Sequence, residues 1–472
     1  MLENKKTYFN SIAAKRIKQR KAKSYYWNDI TKYCSYFIHE DYSVLEIGCG
    51  TGEFLNNLKA KRKVGIDFSE VMIAHAKTQF PELELQVMAA EEIQLNEKFD
   101  VVILSNLIGY LDDIQKVFEG LKVVCHPQTK IIVTYYSFLW EPLLKFGERI
   151  GYKTKSPHQN WLSLSEINNL LFLSGFQVYR NSRRMILPVY IPLISEICNG
   201  FLAKFPVLRL LSINNFTFAK VVNTALSKEL NTDYSVSVII PACNESGNIE
   251  NAILRMPALG THTEIIFVEG HSTDGTWEKI EEVKNKYAAT HCIKSSQVSE
   301  RGKNAAVKKG FEMSSNDILM ILDADLTVAP EDLRKFYHAI ASGKGDFING
   351  SRLVYPMEKE AMRFLNLVGN KSFSMLFTWL LDQRFKDTLC GTKVMFRKDY
   401  KRLVSNRKFF GDIDPFGDFD LLFGAHKLNL CIVEVPIRYH ERTYGRTNIS
   451  RFKHGFILLK MCFFAARKIK FR

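Results

Sequence analysis

Two stretches of the chain concentrate side chains able to do chemistry. In the first, Ile318 to Leu326, an apolar run ends in Asp323 and Asp325 with one alanine between them. Alternate residues of a strand point the same way, so both carboxylates face one site. Hard oxygens at that spacing suit a divalent cation that also holds phosphates, such as Mg²⁺ or Mn²⁺. In the second, Val44 to Phe54, an apolar run enters Gly48-Cys49-Gly50-Thr51-Gly52. Glycines let the backbone turn tightly and approach a ligand with no Cβ in the way. The spacing is GxGxG, which differs from the GxGxxG of a dinucleotide turn. Asp67 closes the next apolar run, where it can accept hydrogen bonds from both ribose hydroxyls.

A parallel sheet must position both sets, because ligands of open α/β sheets lie at the carboxyl ends of strands. Buried parallel strands read as short apolar runs. Such runs occur at Val44–Ile47, Lys63–Asp67 and Phe99–Asn106, and again at Ser235–Pro241, Glu264–Val268 and Ile318–Leu322. Two series of strand–helix units in 472 residues predict two α/β domains. The expected division is 1–222, a polar linker over 223–233, 234–449, and a basic amphipathic helix over 450–472. Within the first domain, Asn160 to Val178 predicts a helix capped by Ser163 or Ser165, followed by a late strand. Met185 to Leu211 is unusually apolar and reads as buried core, a docking face for lipid or acceptor being the other reading.

The formal net charge of +15 points to an anionic partner: nucleic acid, phosphorylated substrates or an acidic membrane surface. The nine cysteines are scattered without a CxxC pair, so neither a zinc site nor a disulfide framework is expected, and a reducing cytosol fits. The N-terminus lacks the apolar core of a signal peptide. No stretch reaches the ~18 uninterrupted apolar residues of a membrane span. Lys15, Arg16, Lys18, Arg20 and Lys21 read as a solvated helix face, with lipid head groups as the other reading. Ser450 to Arg472 combines apolar residues with seven basic ones and no acid, which suits a helix lying in a membrane interface, a plain amphipathic packing helix being the other reading.

The first half resembles the class I S-adenosylmethionine-dependent methyltransferases, whose fold is Rossmann-like. The resemblance implies that Glu46, Gly48, Gly50, Gly52 and Asp67 bind S-adenosylmethionine, with Glu91 beside the adenine. Asn106-Leu107-Ile108-Gly109-Tyr110 stands where base N-methyltransferases carry NPPY, which argues against a nucleic-acid acceptor. Tyr110 and His158 are placed for an acceptor but read first as structural residues.

The second half resembles the family 2 glycosyltransferases of GT-A fold. The residues that carry this are Ile240-Pro241-Ala242-Cys243-Asn244-Glu245, Glu269-Gly270-His271-Ser272-Thr273-Asp274-Gly275, Arg301-Gly302-Lys303-Asn304 and Asp323-Ala324-Asp325. The resemblance implies a nucleoside-diphosphate sugar bound by Pro241, Glu245, Glu269, Lys303 and Asp323, with the metal on Asp325 and Asp323. Glu269 replaces the usual Asp. Gly350-Ser351-Arg352, Arg363, Asn370, Asp387 to Lys393, and Val435 to Arg442 look like the polyprenyl-phosphate sugar synthases. That likeness implies that Arg352, Arg363 and Arg442 grip an acceptor phosphate. Thr327 and Thr447-Asn448 depart from it, standing where those synthases have a metal-binding Gln and a Ser-Lys pair. A lipid phosphate is already an anion and needs no base, whereas a hydroxyl acceptor needs a carboxylate, Asp418 or Asp420.

The expectation is thus a bifunctional transferase peripheral to the cytoplasmic face of the membrane. It would move a sugar to a polyprenyl phosphate or glycolipid and a methyl group to a glycan or lipid. The alternatives are a glycosyltransferase acting on a glycan hydroxyl, with the first domain only a binding or recruiting module, and a nucleic-acid methyltransferase. No nucleic-acid motif supports the last.

Overall fold

The computed structural model describes residues 6–13, 24–150, 159–222, 233–300, 302–352, 364–405, 417–442, 444 and 451–471. The linker expected over 223–233, apart from Asp233, lies outside these residues, as do the Lys15–Lys21 run, His158, Arg301, Arg363 and Thr447-Asn448. The chain divides into two compact units at residues 226–227.

The first unit is built on a seven-stranded sheet. Its strands are β1 (Ser43–Ile47), β2 (Arg62–Asp67), β3 (Glu84–Val87), β4 (Phe99–Ser105), β5 (Cys125–Tyr136), β6 (Phe176–Arg184) and β7 (Asn214–Val221), in the order β3-β2-β1-β4-β5-β7-β6. β1 lies between its parallel neighbours β2 and β4. β7 runs antiparallel between β5 and β6. Leu45, Ile47, Val102 and Leu104 are fully buried, as strands covered on both faces must be. Local chemistry fixes the helix starts. Ser69 caps Glu70–Gln79, and Ser163 and Glu166 form a reciprocal capping box at Leu164–Leu173.

Two insertions, residues 137–150 and 185–213, leave the sheet at one edge, where Asn214 of β7 lies opposite both Tyr136 and Arg184. Since β1, β4 and β5 are parallel, this is also the edge where β1 ends. The insertions are tied together by Ser137 N–H donating to Ile213 O (2.6 Å) and Trp140 Nε1–H to Leu211 O (2.8 Å). The core reading of Met185–Leu211 is corrected here. Leu193, Ile197 and Val207 face outward, because these short turns stand off the sheet and only residues such as Met185 and Ala203 reach it.

The second unit holds β8 (Val236–Ala242), β9 (Thr263–Glu269), β10 (Cys292–Gln297), β11 (Ile318–Ile321), β12 (Phe347–Ser351), β13 (Lys393–Phe396) and β14 (Ile432–Pro436), in the order β10-β9-β8-β11-β13-β12-β14. β13 is antiparallel to both neighbours. Along β11, Ile318 and Met320 enter one core while Leu319 and Ile321 enter the other. This is the period-2 alternation of a doubly covered strand. The helix Arg451–Ile469 buries Leu458, Met461, Cys462, Ala465 and Ala466 in the second core. Its opposite face exposes Phe456, Leu459 and Phe463 beside Lys460 and Arg467. Among the described residues no helix is long and apolar enough to cross a membrane.

Candidate functional site

In the first unit the glycine turn follows β1 and lies over the end of β2. Gly48 and Cys49 N–H donate to Ile66 O at 2.7 and 3.0 Å. Gly48, Gly50 and Gly52 have φ of 75°, 55° and 80°, the left-handed region where a Cβ is penalised. A Cβ on Gly48 would sit 2.7 Å from Leu107 Cδ1, whereas one on Gly50 would meet only Met72 Sδ, at 3.8 Å. The turn is therefore backed by packing at its first glycine and open at its second. Asp67, 7% exposed, accepts Gly50 N–H and Ser69 N–H on separate oxygens, both at 2.9 Å. Each carboxylate oxygen accepts more than one hydrogen bond, so the pair can also receive ribose hydroxyls. Glu46 is buried in β1. Glu91 accepts Asp112 N–H at 3.4 Å. Tyr110 packs edge-on against Phe9, which also meets Phe68, the residue after Asp67.

In the second unit the structure brings together most of the residues expected to handle the donor. Asp323 and Asp325 follow β11. Lys303 Nζ, at the start of the helix Lys303–Met313, stands 2.5 Å from Asp323 Oδ1. Burial alone would raise the Asp323 carboxyl, but the Lys303 ammonium outweighs it and holds the group below its ordinary range. Asp325 Oδ1 accepts the Thr327 hydroxyl at 2.8 Å, so Thr327 acts on the carboxylate. Arg442 spans two acids, donating to Asp325 Oδ2 at 2.6 Å and Glu245 Oε1 at 2.9 Å. Burial raises the Glu245 carboxyl in spite of Arg442.

Arg352, like Arg442 assigned by resemblance to the acceptor phosphate, has its fork filled. Nε and Nη2 donate to the two oxygens of Asp387 at 2.7 and 2.9 Å, and Asn370 adds a bond at 2.8 Å. Burial would raise Asp387, but Arg352 prevails and holds it at about 2. Asp418 opens the helix Asp418–Lys427, with Lys393 Nζ 3.0 Å from its Oδ1. Asp420 is buried in the same first turn. Glu269, at the end of β9, accepts Ser272 N–H at 2.6 Å and Gln297 Nε2–H at 3.0 Å. Pro241 lies in β8 opposite Val268. Among the described residues no group of three or more His, Cys, Asp or Glu is arranged to hold a metal.

Sequence reasoning missed four participants. Lys393 is fully buried and compensates Asp418; a lone lysine beside Val394-Met395-Phe396 is its signal. Asp387 figured in a motif but received no role. Tyr444 donates to Asp274 Oδ2 at 3.2 Å and lies 2.9 Å from Ser246 Oγ. A fourth, Gly391, is a close approach: its Cβ would lie 2.7 Å from Asp323 Cγ and closer still to Lys303 Nζ.

Two family models match the chain, a methyltransferase domain over residues 17–181 and glycosyl transferase family 2 over residues 237–404. A dolichol-phosphate mannosyltransferase of Pyrococcus furiosus is 40% identical over 224 residues, which cover 46% of this chain and 59% of that protein. A polyprenol monophosphomannose synthase of Mycolicibacterium smegmatis is 27% identical, over 45% of this chain and 80% of that protein. A solved structure from Thermotoga maritima, described as a SAM-dependent methyltransferase and possible histamine N-methyltransferase, is 19% identical. It covers 45% of this chain and 97% of its own, at a TM-score of 0.37. The assignment of the first half rests on the family model. The chain thus carries an S-adenosylmethionine-dependent methyltransferase domain and a family 2 glycosyltransferase domain related to the dolichyl-phosphate sugar transferases.

Proposed function

We propose that the second unit moves a sugar from a nucleoside diphosphate to a polyprenyl phosphate at the cytoplasmic face of the membrane. The first moves a methyl group from S-adenosylmethionine to a glycan or lipid acceptor. The observation that carries the first transfer is the charge-compensated cluster at the end of β11. There each carboxylate already faces a cation from a different element: Lys303 on Asp323, Arg442 on Asp325 and Glu245.

Such a cluster binds a diphosphate by exchange of partners. Lys303 and Arg442 can turn from carboxylates to phosphate oxygens, and Arg442 presents the planar fork that fits them. Asp325, with Asp323, would hold Mg²⁺ or Mn²⁺. Two carboxylates fit an ion whose other ligands are waters and substrate phosphates. When bound, the ion supplies neutralisation of charge building on the leaving diphosphate. Asp418, the candidate base for a hydroxyl acceptor, is engaged by Lys393. That engagement favours an acceptor that arrives as an anion. The outward face of Arg451–Ile469, apolar with Lys460 and Arg467, supports contact with an acidic lipid surface. In the first unit the glycine turn and Asp67 would orient the cofactor, which supplies the electrophilic methyl; positioning is most of what such a transfer requires.

The test assays both transfers in Asp325→Asn and Asp67→Ala, supplying radiolabelled nucleotide sugars and membrane extract with and without S-adenosylmethionine. The first variant is expected to lose glycosyl transfer and keep cofactor affinity, the second the reverse. Loss of both activities in both folded variants, or full glycosyl transfer after exhaustive chelation, overturns the proposal.

A further inference from the structure

The loops that follow β8 and β9 are knitted to each other. Asn244 N–H donates to Ser272 Oγ at 3.0 Å and Thr273 N–H to Asn244 Oδ1 at 2.8 Å. Glu245 N–H donates to Thr276 Oγ1 at 2.9 Å and Ser246 N–H to Asp274 Oδ2 at 3.2 Å. A residue distant in the chain closes over this pair of loops. Tyr444 lays its ring on Gly247, where a Cβ would stand 2.6 Å from Tyr444 Cδ2. The tyrosine hydroxyl has one proton, which goes to Asp274 Oδ2 at 3.2 Å, so the Ser246 hydroxyl donates to the tyrosine oxygen at 2.9 Å.

Burial alone would raise the Asp274 carboxyl, but bonds from Thr276, Ser246 and Tyr444 keep it below its ordinary range, so Tyr444 meets an ionised acceptor. Gly247 has no positive φ that would call for glycine, so its bare Cα serves the ring. Tyr444 is 37% exposed and fills no core. What it does fix is the chain beside Arg442, two positions earlier, which bridges Asp325 and Glu245. His440, two positions earlier again, is held by its N–H on Thr327 O at 2.9 Å. Two residues of chain span at most ~7 Å. Arg442 is therefore tethered on both sides, to the loop after β11 and to the loops after β8 and β9.

We propose that Tyr444 is a positioning residue for glycosyl transfer, clasping Ser246, Gly247 and Asp274 so that Arg442 stays at the diphosphate site when its guanidinium leaves the carboxylates. The inference rests on the partner exchange proposed above and supplies what that exchange requires. A guanidinium released from Asp325 and Glu245 on a slack chain has to order its backbone again at each binding event. On an anchored chain that ordering is already done, and the difference appears as affinity for the nucleotide.

The experiment is calorimetry on the full chain, with the diphosphates of uridine, guanosine, cytidine, adenosine and thymidine as probes, each with Mg²⁺. Tyr444→Ala is expected to weaken the nucleotide that binds wild type by roughly tenfold. Gly247→Ala pushes the ring away and leaves Tyr444 its hydroxyl. It should give the same loss without deleting a side chain, and the two changes together no more than either alone. Tyr444→Phe keeps the ring on Gly247 and should stay within about threefold of wild type. In an Arg442→Gln background, adding Tyr444→Ala should change affinity by less than about twofold, because no cation is left to position. A purely structural tyrosine would weaken both backgrounds alike. Equal losses in the two backgrounds, or wild-type affinity in Tyr444→Ala, overturn the clasp and leave glycosyl transfer standing. A wild-type chain that binds none of the five nucleotides overturns glycosyl transfer itself, and the clasp with it.

Discussion

The Arg352–Asp387 pair can be tested by removing one charge without changing shape. Asp387→Asn leaves the Arg352 guanidinium buried, with 12% of its side chain exposed. The Arg352 guanidinium holds Asp387 at about 2 in the folded protein, below the ordinary carboxyl value of 3.8. At ~1.4 kcal/mol per unit, that difference is worth about 2–3 kcal/mol, and removing one partner of a buried pair costs ~3–5 kcal/mol. The sign follows from the depressed value. The contribution is complete at neutral pH and is lost as pH falls from about 4 through about 2. Amide hydrogen exchange over Phe347–Ser351 reads the second unit alone. A loss of ~3 kcal/mol should speed its globally protected amides roughly a hundredfold at neutral pH. Joint replacement, Arg352→Met with Asp387→Leu, should cost less than the single change, because no buried charge is left alone. Less than a threefold change in exchange for Asp387→Asn, or a double variant as costly as the sum of its parts, would refute the reasoning.

Gly391→Ala should break the Lys303–Asp323 pair, since the new methyl cannot coexist with the present Asp323 carboxylate; glycosyl transfer should fall roughly a hundredfold while S-adenosylmethionine affinity, read by calorimetry, stays unchanged. Gly48→Ala places a Cβ at φ 75° and against Leu107, so ~1–2 kcal/mol of strain should weaken cofactor binding about tenfold and leave glycosyl transfer intact. Arg442→Gln removes the cation shared by Asp325 and Glu245. The Mg²⁺ concentration for half-maximal glycosyl transfer should drop several-fold while the maximal rate also falls, and an unchanged Mg²⁺ requirement would count against partner exchange.

Features set by local chemistry were legible in the sequence. The glycine turn, the acid closing β2, the Asp323-Ala324-Asp325 terminus and the Ser163 cap each depend on a few adjacent residues, and each lies at the end of an element where the reading put it. Partners distant in the chain were not legible. Arg442 reaches Asp325 across 117 positions and Glu245 across 197, and no spacing rule connects such residues. The arginines were accordingly read by resemblance as acceptor ligands, with no hint that carboxylates hold them. Burial of Met185–Leu211 was misread for a related reason. Hydropathy says that a segment prefers to leave water; whether protein is there to receive it depends on where the sheet stops.

The position of β13 has a consequence for how the second unit comes to be made. β11 is complete by Ile321, and its outer neighbour is not synthesised until Lys393–Phe396. β12, complete by Ser351, waits for the same strand. A nascent or truncated chain ending before residue 393 therefore carries two apolar strands with open hydrogen-bonding edges, and such edges invite pairing with other chains. Translational arrest or proteolysis in that interval should yield aggregates rather than a smaller soluble enzyme, and closure of this sheet should be a late, all-or-none event on the ribosome.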